Sequence, residues 1–90
     1  MSEDRLRDAT TRASQAYDLL NNELLKEVFE SLQSSYLRLW QFSDPKAVED
    51  REKIFIAWHV VGKVQDQLRR MIDNGKLAQL ELEELIKRSQ

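Results

Sequence analysis

IFIAWHVVGKV, from Ile54 to Val64, is an almost unbroken apolar segment in a chain of which 33% of the residues are charged. Phe55, Ile56 and Val60 lie off the apolar stripe of the helix that this segment predicts, so that for about two turns the helix is apolar most of the way round. A helix of this kind is normally covered on more than one side. We therefore expect a helix that packs against several neighbours. The stripe itself comprises Ile54, Ala57, Trp58, Val61, Val64, Gln65, Leu68, Met71 and Ile72.

The composition around this segment is that of an all-α protein. Two glycines, one proline and few β-branched residues leave little to delimit strands, while Leu, Glu, Lys, Arg, Gln and Ala dominate. We predict a single helical domain over residues 1–90, because a chain of this length forms one core at most. The expected architecture is an antiparallel helical hairpin with flanking N- and C-terminal helices, a three- to four-helix bundle. Its helices are predicted at about 3–20, 22–42, 45–74 and 77–88.

Four local signals set these boundaries. Ser2 is a predicted N-cap ahead of the acidic Glu3 and Asp4. The apolar stripe changes phase at Asn21-Asn22, which predicts a kink or break there. Pro45, after Ser43-Asp44, suits the first position of a helix because it lacks an N–H. Gly75 suits the left-handed residue just past a helix end.

Gly62 lies toward the Trp58 edge of the apolar stripe, inside the long predicted helix. A glycine there costs about 1 kcal/mol relative to alanine. We expect the close approach of a neighbouring helix or aromatic ring to compensate for it. A tolerated accident of sequence, or a functional bend, is the alternative.

Length and composition indicate that a partner chain contributes to stability. Burial and conformational entropy nearly cancel in chains this small, and the absence of cysteine excludes disulfides and thiolate metal sites. Oligomerisation is the remaining means of stabilisation. The polar, acidic start and the lack of a long apolar run predict a cytoplasmic protein without a membrane segment.

No catalytic or cofactor chemistry is expected from the titratable residues. His59 is the only histidine, and no second histidine or suitably spaced glutamate accompanies it as a metal ligand. We interpret it as solvated or half packed. Glu81, Glu83 and Glu84 are interpreted as a solvated face. The chain is therefore predicted to be no enzyme and to bind no cofactor, metal or small molecule.

A weak basic cluster leaves a nucleic-acid role as the alternative function. With a net charge of −2, the chain has no long-range field that would attract a polyanion. Asp66 precedes Arg70 by four residues, and Arg69 precedes Asp73 by four, so we expect both arginines to have local partners. The alternative is a small DNA-binding packaging or regulatory protein. Its candidate contacts are Lys63, Arg69, Arg70 and Lys76.

The favoured function is assembly through apolar contacts. Leu19 and Leu37 face away from their own stripes, which indicates an external contact. Trp40 and Trp58 are interpreted as core anchors, or as interface hot spots if the protein assembles, rather than as stacking platforms. We predict a homo-oligomer or docking on a larger protein. The candidate interface residues are Phe55, Ile56, Val60, Leu19 and Leu37.

Two segments of the chain together resemble small uncharacterised helical proteins of tailed-phage and prophage gene clusters, near packaging and head genes. These segments are AYDLLNNELLKEVFESLQSSYLRLW and REKIFIAWHVVGKVQDQLRRMIDNGKLAQLELEEL. The resemblance covers about residues 16–85 and includes no chemical motif, so it assigns no active residue. It implies a role in virion structure or DNA packaging, in the cytoplasm of a bacterial host or in the virion. The residues that carry it are Leu24, Leu25, Phe29, Trp40, Arg51-Glu52, Val61-Gly62-Lys63-Val64 and Asn74-Gly75-Lys76-Leu77.

Overall fold

The computed structural model describes residues 2–90 and contains three helices, α1 (Glu3–Leu20), α2 (Glu23–Gln41) and α3 (Val48–Arg88). The described residues include no strand, which confirms the all-α class. Contacts divide the chain into two compact units. The first unit comprises the chain up to Asn21 together with Asp66–Gln90, and the second comprises Asn22–Gln65. A single domain over residues 1–90 therefore stays a prediction.

Side-chain caps define the ends of α1 and the start of α2. The Ser2 hydroxyl accepts a hydrogen bond from the Arg5 amide at 3.3 Å, and the Asn22 side chain accepts one from the Leu25 amide at 2.9 Å. At the C-terminus of α1, the Asn21 side chain donates to the Tyr17 carbonyl at 2.8 Å. These bonds satisfy backbone groups that a helix end leaves without a partner. The break predicted at Asn21-Asn22 is confirmed.

α3 begins at Val48, so the start predicted at Pro45 is wrong by three residues. The Asp44 side chain accepts a hydrogen bond from the Lys46 amide at 2.9 Å. The Asp44 carbonyl accepts another from the Ala47 amide, also at 2.9 Å. Aspartate in this geometry holds a tight turn in place of a helix. Pro45 therefore lies within the turn, and α3 starts after it.

α3 continues through Gly75, so the helix end predicted there is wrong. No glycine of the described residues has a positive φ, and Gly75 is a buried residue inside the helix. The predicted helices 45–74 and 77–88 are parts of this one helix, and the described residues contain three helices instead of four. Gly75 packs against α1 and does not end a helix.

The first unit packs α1 closely against the second half of α3. A Cβ built on Gly75 would overlap the Cβ of Ala13 and lie 3.2 Å from the Ala9 carbonyl oxygen. Only glycine allows the backbones to approach this closely. Leu6, Ala78 and Leu82 form the buried cluster beside this crossing, with Ala9 packed against it.

The second unit pairs α2 with the first half of α3. The Gln33 side chain donates to the Gln65 side chain at 3.2 Å, and the Arg51 guanidinium lies 4.2 Å from the centre of the Trp40 ring. No residue between Asn22 and Gln65 is buried. The half-buried positions repeat at helical spacing on both helices. They include Leu25, Phe29, Gln33 and Tyr36 on α2, and Ile54, Ala57, Val61 and Gln65 on α3.

Candidate interaction surfaces

The residues predicted to form an interface are all about half exposed. Phe55, Ile56 and Val60 of α3 are 54%, 52% and 48% exposed. Leu37 of α2 is 48% exposed and belongs, like these three, to the second unit, whereas the equally exposed Leu19 belongs to the first. Their contact with a partner stays a prediction.

Leu37 and Phe55 line an open apolar cavity of about 260 Å³ in the second unit. The Phe55 ring lies 6.2 Å from the Trp58 ring at an angle of 32°. It also stacks on the His59 ring, 6.1 Å away and at 9°. Residues three and four apart on a helix are neighbours, which explains this cluster of rings. We call the cavity the aromatic pocket; its lining residues are Tyr36, Leu37, Trp40, Ile54, Phe55 and Trp58.

Arg51 gives the aromatic pocket a cationic edge. Its guanidinium lies over the face of Trp40, at a distance at which the ring quadrupole attracts a cation. Its Nε atom is buried and donates no hydrogen bond. The face of the Trp40 ring supplies an electrostatic attraction for this guanidinium.

Ile56 and Val60 lie on a different side of α3 from Phe55. Because each residue turns an α-helix by about 100°, Ile56 is rotated from Phe55 by about 100° around the helix axis, and Val60 by about 140°. Phe55 faces the aromatic pocket together with Leu37. The predicted interface residues of the second unit therefore do not form one continuous surface.

A second apolar surface lies on the side of the second unit away from the aromatic pocket. On α2 and at Phe42, the residue that caps its C-terminus, it contains residues rotated by about 140° or more from Leu37. On α3 it contains Ile56, Val60 and Val64. We call it the neutral flank. Its residues are Leu24, Val28, Leu32, Leu39, Phe42, Ile56, Val60 and Val64, with exposed fractions between 39% and 83%.

Sequence reasoning named Ile56 and Val60 of this flank as interface residues, but none of its residues on α2. The apolar side chains of α2 on this side are exposed, because a single neighbouring helix covers only one strip of α2. The signal that separates the two sides is the spacing of Val28, Leu32, Ser35, Leu39 and Phe42, which alternates between four and three residues. This is the heptad spacing of a coiled-coil contact.

The tryptophans are not core residues. Trp40 is 40% exposed and Trp58 is 38% exposed, and both line the aromatic pocket. Their interpretation as core anchors is wrong because the second unit has no third layer of structure to cover them. Their role as interface hot spots stays a prediction.

The close approach predicted at Gly62 is also wrong. A Cβ built on Gly62 would meet no other atom within 4 Å. Gly62 follows Phe55 by one heptad and so lies on the same, open side of α3. Gly75 makes the close helix contact that was expected at Gly62.

The predicted nucleic-acid residues are divided between the units. Lys63 belongs to the second unit, whereas Arg69, Arg70 and Lys76 belong to the first. Arg69 donates to Asp66 at 2.9 Å. The expected Asp66–Arg70 and Arg69–Asp73 pairs are wrong. Asp66 and Arg69, the first member of each expected pair, bind each other instead. Nucleic-acid binding stays a prediction.

The remaining titratable residues make only local helical contacts. His59 is exposed apart from its stacking on Phe55. Glu83 accepts a hydrogen bond from Gln79 at 3.5 Å, and Glu84 lies 3.9 Å from Arg88. Across residues 2–90, no three His, Cys, Asp or Glu side chains are grouped so that they could hold a metal ion.

Helices in the described part of the chain lack any stretch that is both long and apolar enough to cross a membrane. Comparison with protein-family models, curated proteins and solved structures finds no match to this chain.

Proposed function

We propose that this chain is a non-enzymatic assembly protein whose second unit is completed by packing against another protein subunit. The observation that supports this proposal is that no residue from Asn22 to Gln65 is buried. This unit nevertheless holds the aromatic pocket and the neutral flank, two apolar surfaces on opposite sides. Exposed apolar surface of this extent is typical of interaction sites.

The energetic reason is that a pair of helices has too little interior to be stable alone. Full burial of one Val, Leu, Ile or Phe side chain contributes roughly 1.5 to 3 kcal/mol. In the second unit each large apolar side chain gains only part of that amount from its own chain. A partner that covers one of these two surfaces supplies the remaining free energy of burial for several side chains at once.

The proposed architecture is an antiparallel helical hairpin of α2 and the first half of α3, with α1 as a flanking N-terminal helix on the second half of α3. Within the second unit, the Gln33–Gln65 and Trp40–Arg51 contacts support an antiparallel pair, because later residues of α2 meet earlier residues of α3.

The setting that we propose is a tailed phage or prophage, in which the protein acts as an accessory of virion assembly or DNA packaging. It forms a homo-oligomer or docks on a larger head or packaging protein, in the host cytoplasm or in the virion. The resemblance over residues 16–85 supports this setting and includes the whole second unit. Protein contact is favoured over DNA binding because the net charge is −2 and Asp66 neutralises Arg69.

Light scattering over a dilution series tests the proposal directly. We expect a mass above the 10.7 kDa of one chain, falling toward it on dilution. Because apolar contacts carry the association, raising the salt concentration should not dissociate it, whereas binding to DNA would weaken steeply with salt. A monomer at every concentration that also fails to bind phage head or packaging proteins would refute the proposal.

A gel-shift experiment at low salt addresses the alternative function. A retarded DNA complex that disappears in the Arg69→Ala plus Arg70→Ala variant would support DNA binding. An unshifted DNA band even at low salt would leave assembly as the function.

A further inference from the structure

We infer that the occupant of the neutral flank is a second copy of this chain, seated across a two-fold axis. The inference rests on the proposed function and makes it more specific, because it names one of the two apolar surfaces and one partner. Three observations support it: the area of the flank, its lack of charge and the spacing of its residues.

The area of the flank is close to what a stable dimer needs. Its eight side chains are between 39% and 83% exposed, with Phe42 and Leu24 at the upper end. With about 150 to 200 Å² for each such residue when fully exposed, they leave roughly 650 to 900 Å² of apolar surface uncovered. An interface of standard size takes about 800 Å² from each partner. One such contact would therefore use the whole flank.

The flank is nearly free of charge. Between Leu24 and Phe42, the one position on this side that is not apolar is Ser35. On α3, Lys53 lies on the same side as Ile56, Val60 and Val64, near the end of the flank that Leu39 and Phe42 form, and not at its centre. In a two-fold contact the same patch meets itself, so any charge near its centre would face its own copy. A neutral patch avoids that repulsion and offers no counter-charge to a strongly charged partner.

The residue spacing allows helices to interdigitate across the contact. Val28, Leu32, Ser35, Leu39 and Phe42 follow the heptad pattern, in which knobs on one helix fit into holes on the other at a crossing angle of about 20°. The small Ser35 at the middle permits a close approach. Two helical pairs joined in this way form a four-helix core.

The aromatic pocket stays outside this contact, because it lies on the other side of the second unit. This separation provides matched variants, since Val60 and Phe55 have similar exposed fractions of 48% and 54% and both lie on α3. A charge placed at Val60 would be buried in the dimer, whereas a charge at Phe55 would remain in water.

Sedimentation equilibrium of the Val60→Glu and Phe55→Glu variants is the first test. We expect Val60→Glu to raise the dimer dissociation constant about a hundredfold, because the new carboxylate would be desolvated without a partner. We expect Phe55→Glu to change it by less than about threefold. Circular dichroism at matched concentrations should show that both variants remain helical. Equal effects of the two variants, or no effect of Val60→Glu, would contradict the inference.

A cross-linking comparison is independent of any loss of stability. The chain contains no cysteine, so Ser35→Cys and Ser34→Cys each introduce a single thiol at neighbouring exposed positions. These positions differ by about 100° around α2, and only Ser35 lies on the neutral flank. A short bismaleimide should link Ser35→Cys into covalent dimers at least tenfold faster than Ser34→Cys. Similar rates for the two variants would overturn the two-fold contact.

The outcomes separate this inference from the proposed function. A wild-type chain that stays monomeric but binds a phage head protein would exclude the second copy and retain the assembly role. Association that Phe55→Glu abolishes and Val60→Glu leaves intact would move the contact to the aromatic pocket. A chain that associates with nothing would refute both.

Discussion

The two units of this chain contain different apolar residues and bury them to different extents. The first unit buries Leu6, Ala16, Gly75, Ala78 and Leu82, most of which are small. The second unit holds both tryptophans and all three phenylalanines and buries none of its residues. The amount of apolar side chain therefore does not determine burial. Close approach of the backbones achieves it in the first unit, and the large side chains of the second unit need a further layer.

The geometry of each crossing explains this difference. Where α1 meets Gly75, the opposing positions are Ala9 and Ala13, so the helices meet almost backbone to backbone. Small residues at a crossing leave little room for solvent on either side. In the second unit, bulky side chains lie on both sides of a two-helix layer, and a single neighbouring helix covers only one strip of each.

The largest effect should come from the core of the first unit. We expect Leu6→Ala to lower the free energy of unfolding by about 3 kcal/mol, because Leu6 is 1% exposed and its truncation leaves a cavity beside Ala78 and Leu82. Urea denaturation at one fixed protein concentration measures the change, since association also contributes to stability.

Leu37→Ala is the matched control for that experiment. Leu37 is 48% exposed in the second unit, so the same truncation should cost less than about 1 kcal/mol. If Leu37→Ala proved as damaging as Leu6→Ala, the second unit would have a buried interior in solution, and the difference between the units would disappear.

Gly75→Ala should have the next largest effect and lower the free energy of unfolding by about 2 kcal/mol. The added Cβ would overlap the Cβ of Ala13, which has no flexible end that could move away, so the backbones must separate. Improved helix propensity offsets about 1 kcal/mol of a larger steric cost. Hydrogen exchange should show faster opening of α1, with little change in α2.

Adding Ala13→Gly to that variant tests the cause. The second substitution removes the atom that the new Cβ overlaps, so the double variant should be more stable than the sum of the two single effects predicts. Simple additivity would mean that the two residues are not in contact.

Sequence reasoning succeeded where the signal is local. Asn22 as a helix start and Ser2 as a cap follow from bonds between residues three apart. It failed at both glycines, because the role of a glycine inside a helix depends on what lies opposite, and nothing near Gly75 identifies Ala13 as its neighbour. Phe55 and Val60 were grouped because both lie off the apolar stripe, but the angle of about 140° between them around the helix axis places them on different sides of that stripe.

A substitution at Asn22, between the two units, should lower the free energy of unfolding by less than Leu6→Ala or Gly75→Ala. Asn22→Ala removes the bond to the Leu25 amide and should cost about 1 kcal/mol. The loss should fall on α2 of the second unit, as faster exchange of its first-turn amides. Asn22→Ser is the control and should retain most of the stability, because serine caps as well as asparagine. Equal losses in both variants would assign the effect to something other than the cap.

Gly62→Ala should have the smallest effect, and the opposite sign to Gly75→Ala. The new methyl group would meet no atom within 4 Å, so the gain in helix propensity, roughly 0.5 to 1 kcal/mol, has no steric cost against it. The same chemical change therefore stabilises one unit and destabilises the other. If a partner subunit packs on the aromatic pocket side, where Gly62 lies, Gly62→Ala should instead weaken association while the dilute monomer gains stability. Measuring both unfolding and dimer dissociation for this one variant thus shows which side of the second unit is occupied, since a contact on the neutral flank leaves the dissociation constant unchanged.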